Sequence, residues 1–147
     1  MIKNQLQYYE VNDIDNILQN PLYYFIPVFG SIPCGIKNYL DGDIRGYVEI
    51  PKSYLGSGDY FILRAEGDSM IHAGISDGDL VVIKKQHFAT ESQIAVAYID
   101  GEVTLKRFHN NKQKGVVEFL PDNENYEPIE ASEYLILGIA VKIIKDL

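Results

Sequence analysis

Two residues of this chain have types and spacing that could do chemistry: Ser69 in Glu66-Gly67-Asp68-Ser69-Met70-Ile71, and Lys106 in Val103-Thr104-Leu105-Lys106-Arg107-Phe108. A serine just past a glycine, at a turn that can open a helix, offers an exposed hydroxyl with backbone N–H groups beside it. The hydroxyl is a poor nucleophile until a base removes its proton. A lysine can be that base only where desolvation lowers its pKa enough to leave it neutral near working pH. Lys106 lies in an apolar, alternating run that could supply such surroundings. Each residue also has a plain reading: Gly-Asp-Ser is an ordinary turn with Asp68 as a helix N-cap, and a strand lysine is usually solvated.

Read with Gly74-Ile75-Ser76-Asp77-Gly78-Asp79-Leu80, the two stretches resemble the LexA and UmuD family of self-cleaving Ser-Lys peptidase domains, over about residues 25 to 147. The 37 residues from Ser69 to Lys106 suit that family. The resemblance implies an all-β fold of curled sheets forming a partly barrel-like domain, related to signal peptidases. It implies Ser69 as nucleophile, Lys106 as general base and the Ser69 backbone N–H as oxyanion donor, with no metal and no cofactor. It also implies a scissile bond between a small residue and glycine. Cys34-Gly35 matches, 35 residues before Ser69; the plain alternative is a buried free cysteine beside a turn glycine.

The implied partners are a second copy of the chain, as a homodimer, and the RecA filament on single-stranded DNA as the agent that stimulates cutting after DNA damage. A protease carrying its own substrate must keep that segment mostly out of the site. Two positions are therefore expected for the cleavage segment, residues 26 to 40, hinged at Gly30 and Gly35. Cutting inactivates a LexA-type repressor, whereas it activates a UmuD-type accessory subunit of a translesion polymerase. Gly67-Asp68-Ser69-Met70-Ile71 and the Cys-Gly pair look more like UmuD. The spacing to the serine and Pro27-Val28-Phe29-Gly30 look more like LexA or a phage repressor. Residues 1 to 25 read as an arm or linker ahead of a domain at 26 to 147, too short to hold the helix-turn-helix of full-length LexA repressors. DNA binding is thus expected only through a domain outside this chain. An alternative of another class is a catalytically silent dimerisation module; a signal peptidase acting in trans is disfavoured for want of a membrane anchor.

Composition bounds these readings. One domain with a proper core is expected of 147 residues, 46% of them hydrophobic, and 11 Tyr with 6 Phe suit a strand-rich interior. A net charge of −8 and a pI near 4.8 argue against a bare phosphate-binding surface, which needs clustered Lys and Arg. Apolar runs such as Leu80-Val81-Val82-Ile83 are too short to span a bilayer, and a basic-then-apolar leader is not seen at Met1, so the expected location is the cytoplasm. A single cysteine rules out an internal disulfide and fits a reducing compartment.

The elements that must position Ser69 and Lys106 follow from alternation and turn residues. A short helix is expected near Asn12 to Leu18, stopping before Pro21. With prolines at 27 and 33 and glycines at 30 and 35, residues 26 to 35 read as an extended segment with swivel points and not as a ladder-locked central strand. Tyr39 to Ile50 reads as a loop entering a short strand from Gly46. Asp59 to Ala65 alternates as a strand that delivers Ser69 where it breaks, with a helical turn at Met70 to Ala73. Leu80 to Lys84 is a buried-type strand. Asp100-Gly101 between alternating runs calls for a two-residue hairpin turn. Pairing Ile99 with Glu102 then puts Lys106 opposite Ala95 and Thr104 opposite Ala97, a small-walled slot where an ammonium group is poorly hydrated. Val116 to Leu120 is a further strand, Pro121 to Tyr126 a loop, and Leu135 to Ile144 a strand too apolar for an exposed edge.

Rival chemistries are weaker. His72 and Asp68 could be assembled with Ser69 as a triad, but neighbours on one short helix do not approach the hydroxyl from the base's side. His87 and His109 read as surface residues, and the histidine spacing suits no zinc site. Neither a dinucleotide nor a phosphate-loop motif is present. Lys106, Arg107, His109, Lys112 and Lys114 form a locally basic stretch that reads as a solvated hairpin edge.

Overall fold

A computed structural model of the chain describes residues 7–10, 21–31 and 43–145. Its strands are β1 (Gln7–Tyr9), β2 (Tyr23–Ser31), β3 (Asp43–Pro51), β4 (Tyr60–Arg64), β5 (Leu80–Lys85), β6 (Ile94–Ile99), β7 (Glu102–Asn111), β8 (Val116–Leu120), β9 (Ile129–Ala131) and β10 (Leu135–Ile144). A four-residue helix, α1 (Lys52–Leu55), and a 3-10 turn at Ile71–Ala73 interrupt them. The fold is all-β, as expected. Its described strands form one open ten-stranded sheet ordered β1-β3-β2-β4-β5-β10-β6-β7-β8-β9.

The sheet order sets the problem the fold has to solve. Ser69 follows β4 and Lys106 lies on β7, with β5, β10 and β6 between them. At about 4.8 Å per strand spacing, four spacings in a flat sheet would separate β4 from β7 by roughly 19 Å. Twist and bulges remove that distance. β10 shifts register between Ile136 and Gly138 against β6, and between Ala140 and Lys142 against β5. Each bulge bends the sheet at its middle strand.

The interior explains why the middle strands read as apolar runs. Val81, Val82 and Ile83 of β5 are fully buried, because both faces of that strand are covered. One core cluster joins Phe29, Phe61, Met70, Ile75, Val81, Ile83, Val96 and Leu137. A second lies under β2 and β3 with Ile26, Val28, Val48, Ile50 and Ile62. A third lies at the other end, with Ala95, Ala97, Phe119 and Ile136. Met70, directly after the serine, inserts into the first cluster and pins the turn to the core.

Three expectations change. Residues 26 to 31 are not a free swivel: they belong to β2, an interior strand paired along its length with β3. β2 accommodates its proline because β4 pairs only with Val28 and Phe29, beyond Pro27, and bulges follow Val28 and Phe29. β3 begins at Asp43, earlier than Gly46. Within the stretch read as an arm, Gln7–Tyr9 adds an edge strand to β3, and Tyr9 donates to the Glu49 carboxylate at 2.7 Å. The helix expected near residues 12 to 18 and the Cys34-Gly35 bond lie outside the described residues.

Candidate active site

The serine turn is built where β4 runs out. Gly67 adopts φ 75°, a left-handed conformation that costs a glycine little, and its N–H donates to Asp77 Oδ1 at 2.7 Å. Gly78 N–H donates to Ala65 O, and Ala65 N–H to Asp79 O, so the 76–79 turn braces one flank of the serine. The residues 122–126 brace the other. Asn123 Nδ2 donates to Asp68 O at 2.9 Å, Tyr126 OH donates to Asp68 Oδ1 at 2.5 Å, and His72 N–H donates to Asp122 O at 3.0 Å. Ser69 itself is half-buried.

The hairpin carrying the lysine has the expected register. Ile99 faces Glu102, Thr104 faces Ala97 and Lys106 faces Ala95, around Asp100 and Gly101 at φ 50° and 86°. Ala95 and Ala97 are completely buried, and burial pushes the Lys106 amine below its ordinary value of 10.5. Its Nζ donates to Thr104 Oγ1 at 2.8 Å and to Leu105 O at 3.3 Å. No carboxylate pairs with it among the described residues. The next residue, Arg107, grips Asp122 through Nη2 at 2.5 Å and the Ser92 carbonyl at 2.7 Å.

Ser69 and Lys106 both line one cavity of about 490 Å³, with Met70, Leu105, Thr104 and Gly30. Among the described residues no hydrogen bond joins the two side chains; the amine donates to Thr104 Oγ1 and Leu105 O. Among the described residues, one wall of the cavity is an unpaired strand edge. β8 pairs with β7 only from Arg107 onward. In a two-residue hairpin whose closing pair is Ile99 and Glu102, Val103 and Leu105 turn their backbone groups away from β6, toward that open side.

The triad is not assembled. His72 is exposed and pairs with Glu124 Oε2 at 2.9 Å, while the Asp68 carboxylate is taken by Tyr126. The basic stretch after Lys106 is largely engaged by carboxylates: Arg107 contacts Asp122, His109 contacts Glu91 and Lys114 contacts Glu130. Sequence reasoning did not find Asn123, Asp122 or Tyr126, because a polar loop gives no sign of what it will touch 55 residues away.

Comparison with known proteins converges on the same stretch. A family model described as Peptidase S24-like matches residues 27–143. The chain is 41% identical over 121 residues to a LexA repressor of Clostridium perfringens, covering 82% of this chain and 59% of that protein. It is 37% identical over 122 residues to a LexA repressor of Syntrophomonas wolfei, covering 83% and 59%. For a LexA repressor of Mycobacterium leprae the figures are 35% over 123 residues, covering 84% and 52%. The chain thus matches between half and three-fifths of the length of these curated relatives.

Proposed function

Because the chain belongs to the Peptidase S24-like family, we propose that it is the self-cleaving serine peptidase part of a LexA-like repressor, cutting its own Cys34-Gly35 bond. The observation that carries this reading is that a half-buried serine and a half-buried lysine, from either side of a four-strand span of the sheet, line one cavity.

In the proposed reaction neutral Lys106 takes the proton from Ser69 Oγ as the oxygen attacks the Cys34 carbonyl carbon. The Ser69 backbone N–H, with that of Met70, stabilises the oxyanion; neither donates elsewhere among the described residues. The tetrahedral intermediate expels the Gly35 amine, which receives the proton from Lys106. Water, deprotonated by the same lysine, then hydrolyses the acyl ester and regenerates Ser69.

The tether supports a cut in the same chain. Gly30 lines the cavity, and Ser31 and Asp43 are cross-strand partners on either side of the segment that holds the bond. Cys34 is four residues from Gly30, a reach of at most about 14 Å. Such a short tether gives a high effective concentration of the bond at the serine. The open edge at Val103 and Leu105 could hold an extended segment by strand addition.

That the relatives are LexA repressors favours the repressor over the UmuD-type reading. On this proposal the partners are a second copy of the chain and the RecA filament on single-stranded DNA, and the setting is the DNA-damage response. DNA binding belongs to a helix-turn-helix outside this chain, consistent with the acidic net charge here. A cytoplasmic location goes with it; no described helix is long and apolar enough to cross a membrane.

Incubating the purified chain at pH 7 and at about pH 10, with mass spectrometry, tests the reading. The expected fragments contain 34 and 113 residues, formed faster at the higher pH and absent in Ser69→Ala and Lys106→Ala. A chain that stays whole at both pH values would favour the silent dimerisation module.

A further inference from the structure

The peptide unit joining Asp68 to Ser69 is planar, so its carbonyl and its N–H point in opposite directions and turn together. Its carbonyl is held twice: by Ile71 N–H at 3.1 Å and by Asn123 Nδ2 at 2.9 Å. Its N–H is the one assigned above to the oxyanion. Only one of these two holds comes from outside the turn. Asn123 is buried, its Oδ1 accepts from Asn125 N–H at 3.0 Å, and its carbonyl accepts from Tyr126 N–H at 3.1 Å, so the amide is fixed at both ends.

The same loop reaches the lysine strand. Asp122, next to Asn123, is gripped by Arg107, next to Lys106. A continuous path of contacts therefore runs from β7 through Arg107, Asp122 and Asn123 to the peptide plane before the nucleophile.

We propose that Asn123 is a positioning residue for catalysis: by holding the Asp68 carbonyl from a loop tied to the lysine strand, it aims the Ser69 backbone N–H at the developing oxyanion. Hydrogen bonding at the carbonyl also polarises the amide and strengthens its N–H as a donor. The role rests on the peptidase reading above. Full loss of one oxyanion donor slows an acyl transfer about 100- to 1,000-fold. A donor that is misdirected but present costs less, about 10- to 100-fold by the same scale.

Asn123→Asp in the full chain is the main test. It keeps the size of the side chain and the acceptor for Asn125 N–H, removes the donor to Asp68 and sets a carboxylate oxygen against that carbonyl. Self-cleavage should slow about 10- to 100-fold; in Asn123→Ala, which adds no charge near Lys106, the inflection of the pH profile should stay where it is. Asn123→Ala should slow it at least as much, while Glu124→Gln on the same loop should cut at the unmutated rate. In a Lys106→Ala background, which keeps the chain whole, the Ser69 amide nitrogen resonance should move upfield on adding Asn123→Asp, with the β7 amides in place. An unmutated chain that cuts while Asn123→Asp cuts equally fast, or a stationary Ser69 resonance, overturns the role of Asn123 alone. An unmutated chain that never cuts overturns the peptidase reading and this role with it.

Discussion

Lys106 Nζ lies 2.8 Å from Thr104 Oγ1, two residues back on the same face of β7. Strand alternation puts the two side chains next to each other opposite two alanines, and among the described residues the other hydrogen bond of the amine is the longer one to Leu105 O, at 3.3 Å. Thr104 is thus the group that decides where the amine points and how much its charge is tolerated. On the proposed mechanism both the pH response and the efficiency of cutting depend on this contact.

The pH response follows from the direction of the lysine's shift. Burial destabilises the ammonium, so the folded-state pKa lies below 10.5. The base form grows as pH rises and is complete once pH passes that lowered value. First-order self-cleavage rates should therefore climb about tenfold per pH unit and level off before the ordinary lysine pKa. Rates still rising through 10.5 would mean a lysine in ordinary solvent.

Thr104→Val keeps the shape of the side chain and removes the acceptor. Without it the ammonium loses a stabilising oxygen, so the inflection should stay or move down, never up. The amine also loses its guide. Misplacement by about 1 Å costs on the order of 100-fold in rate, so the high-pH plateau should fall by about 10- to 100-fold. A complete pH profile separates the two effects; an upward shift with an unchanged plateau would contradict both.

The hairpin was legible in the sequence because Asp100-Gly101 admits one turn, and the turn fixes every pairing up to Lys106. The serine turn was legible for a similar reason, in Gly67 and in the end of an alternating run. β2 was not. Pro27 and Gly30 argue locally for a swivel, and only the tertiary structure reveals that β4 pairs beyond the proline. Nor was the sheet's continuity: bulges in β10 leave no mark in Leu-Ile-Leu-Gly-Ile-Ala-Val-Lys-Ile-Ile beyond its single glycine. Asn123 was illegible because its role is a long-range hydrogen bond from an irregular loop, which no period or turn motif encodes.

Asp79 supports the serine turn from below, and its effect should depend on acidity. Burial alone would raise its pKa, but the Lys145 amine and the Ser76 N–H, at 2.7 Å, together hold it below 3.8. A carboxyl depressed on folding contributes stability above its unfolded pKa and loses it as pH falls through the folded value. Asp79→Asn should therefore melt lower than the unmutated chain at pH 7, and the gap should close as pH drops below 3.8. Thermal melts from pH 7 down to about 2.5 would check this; a gap independent of pH would assign the loss to packing.

Gly138 lies in β10 where the two halves of the site are joined, facing Lys85 of β5 on one side and Val96 of β6 on the other. A Cβ there would sit 2.5 Å from Lys84 O and 2.5 Å from Ile83 Cγ2. A flexible side chain could move away, but Lys84 O is backbone in the middle of the sheet. Gly138→Ala must therefore push β10 off β5, at a cost of about 1–3 kcal/mol, the usual range for overpacking. Because β10 joins β5 to β6, and these pair with β4 before Ser69 and with β7 that carries Lys106, the strain falls on the relative placement of the two residues. The variant should lose stability in urea melts and also cut more slowly under conditions where it is still fully folded. Loss of stability with an unchanged rate in the folded state would mean that the sheet's curl, and with it the meeting of β4 and β7, does not depend on this strand contact.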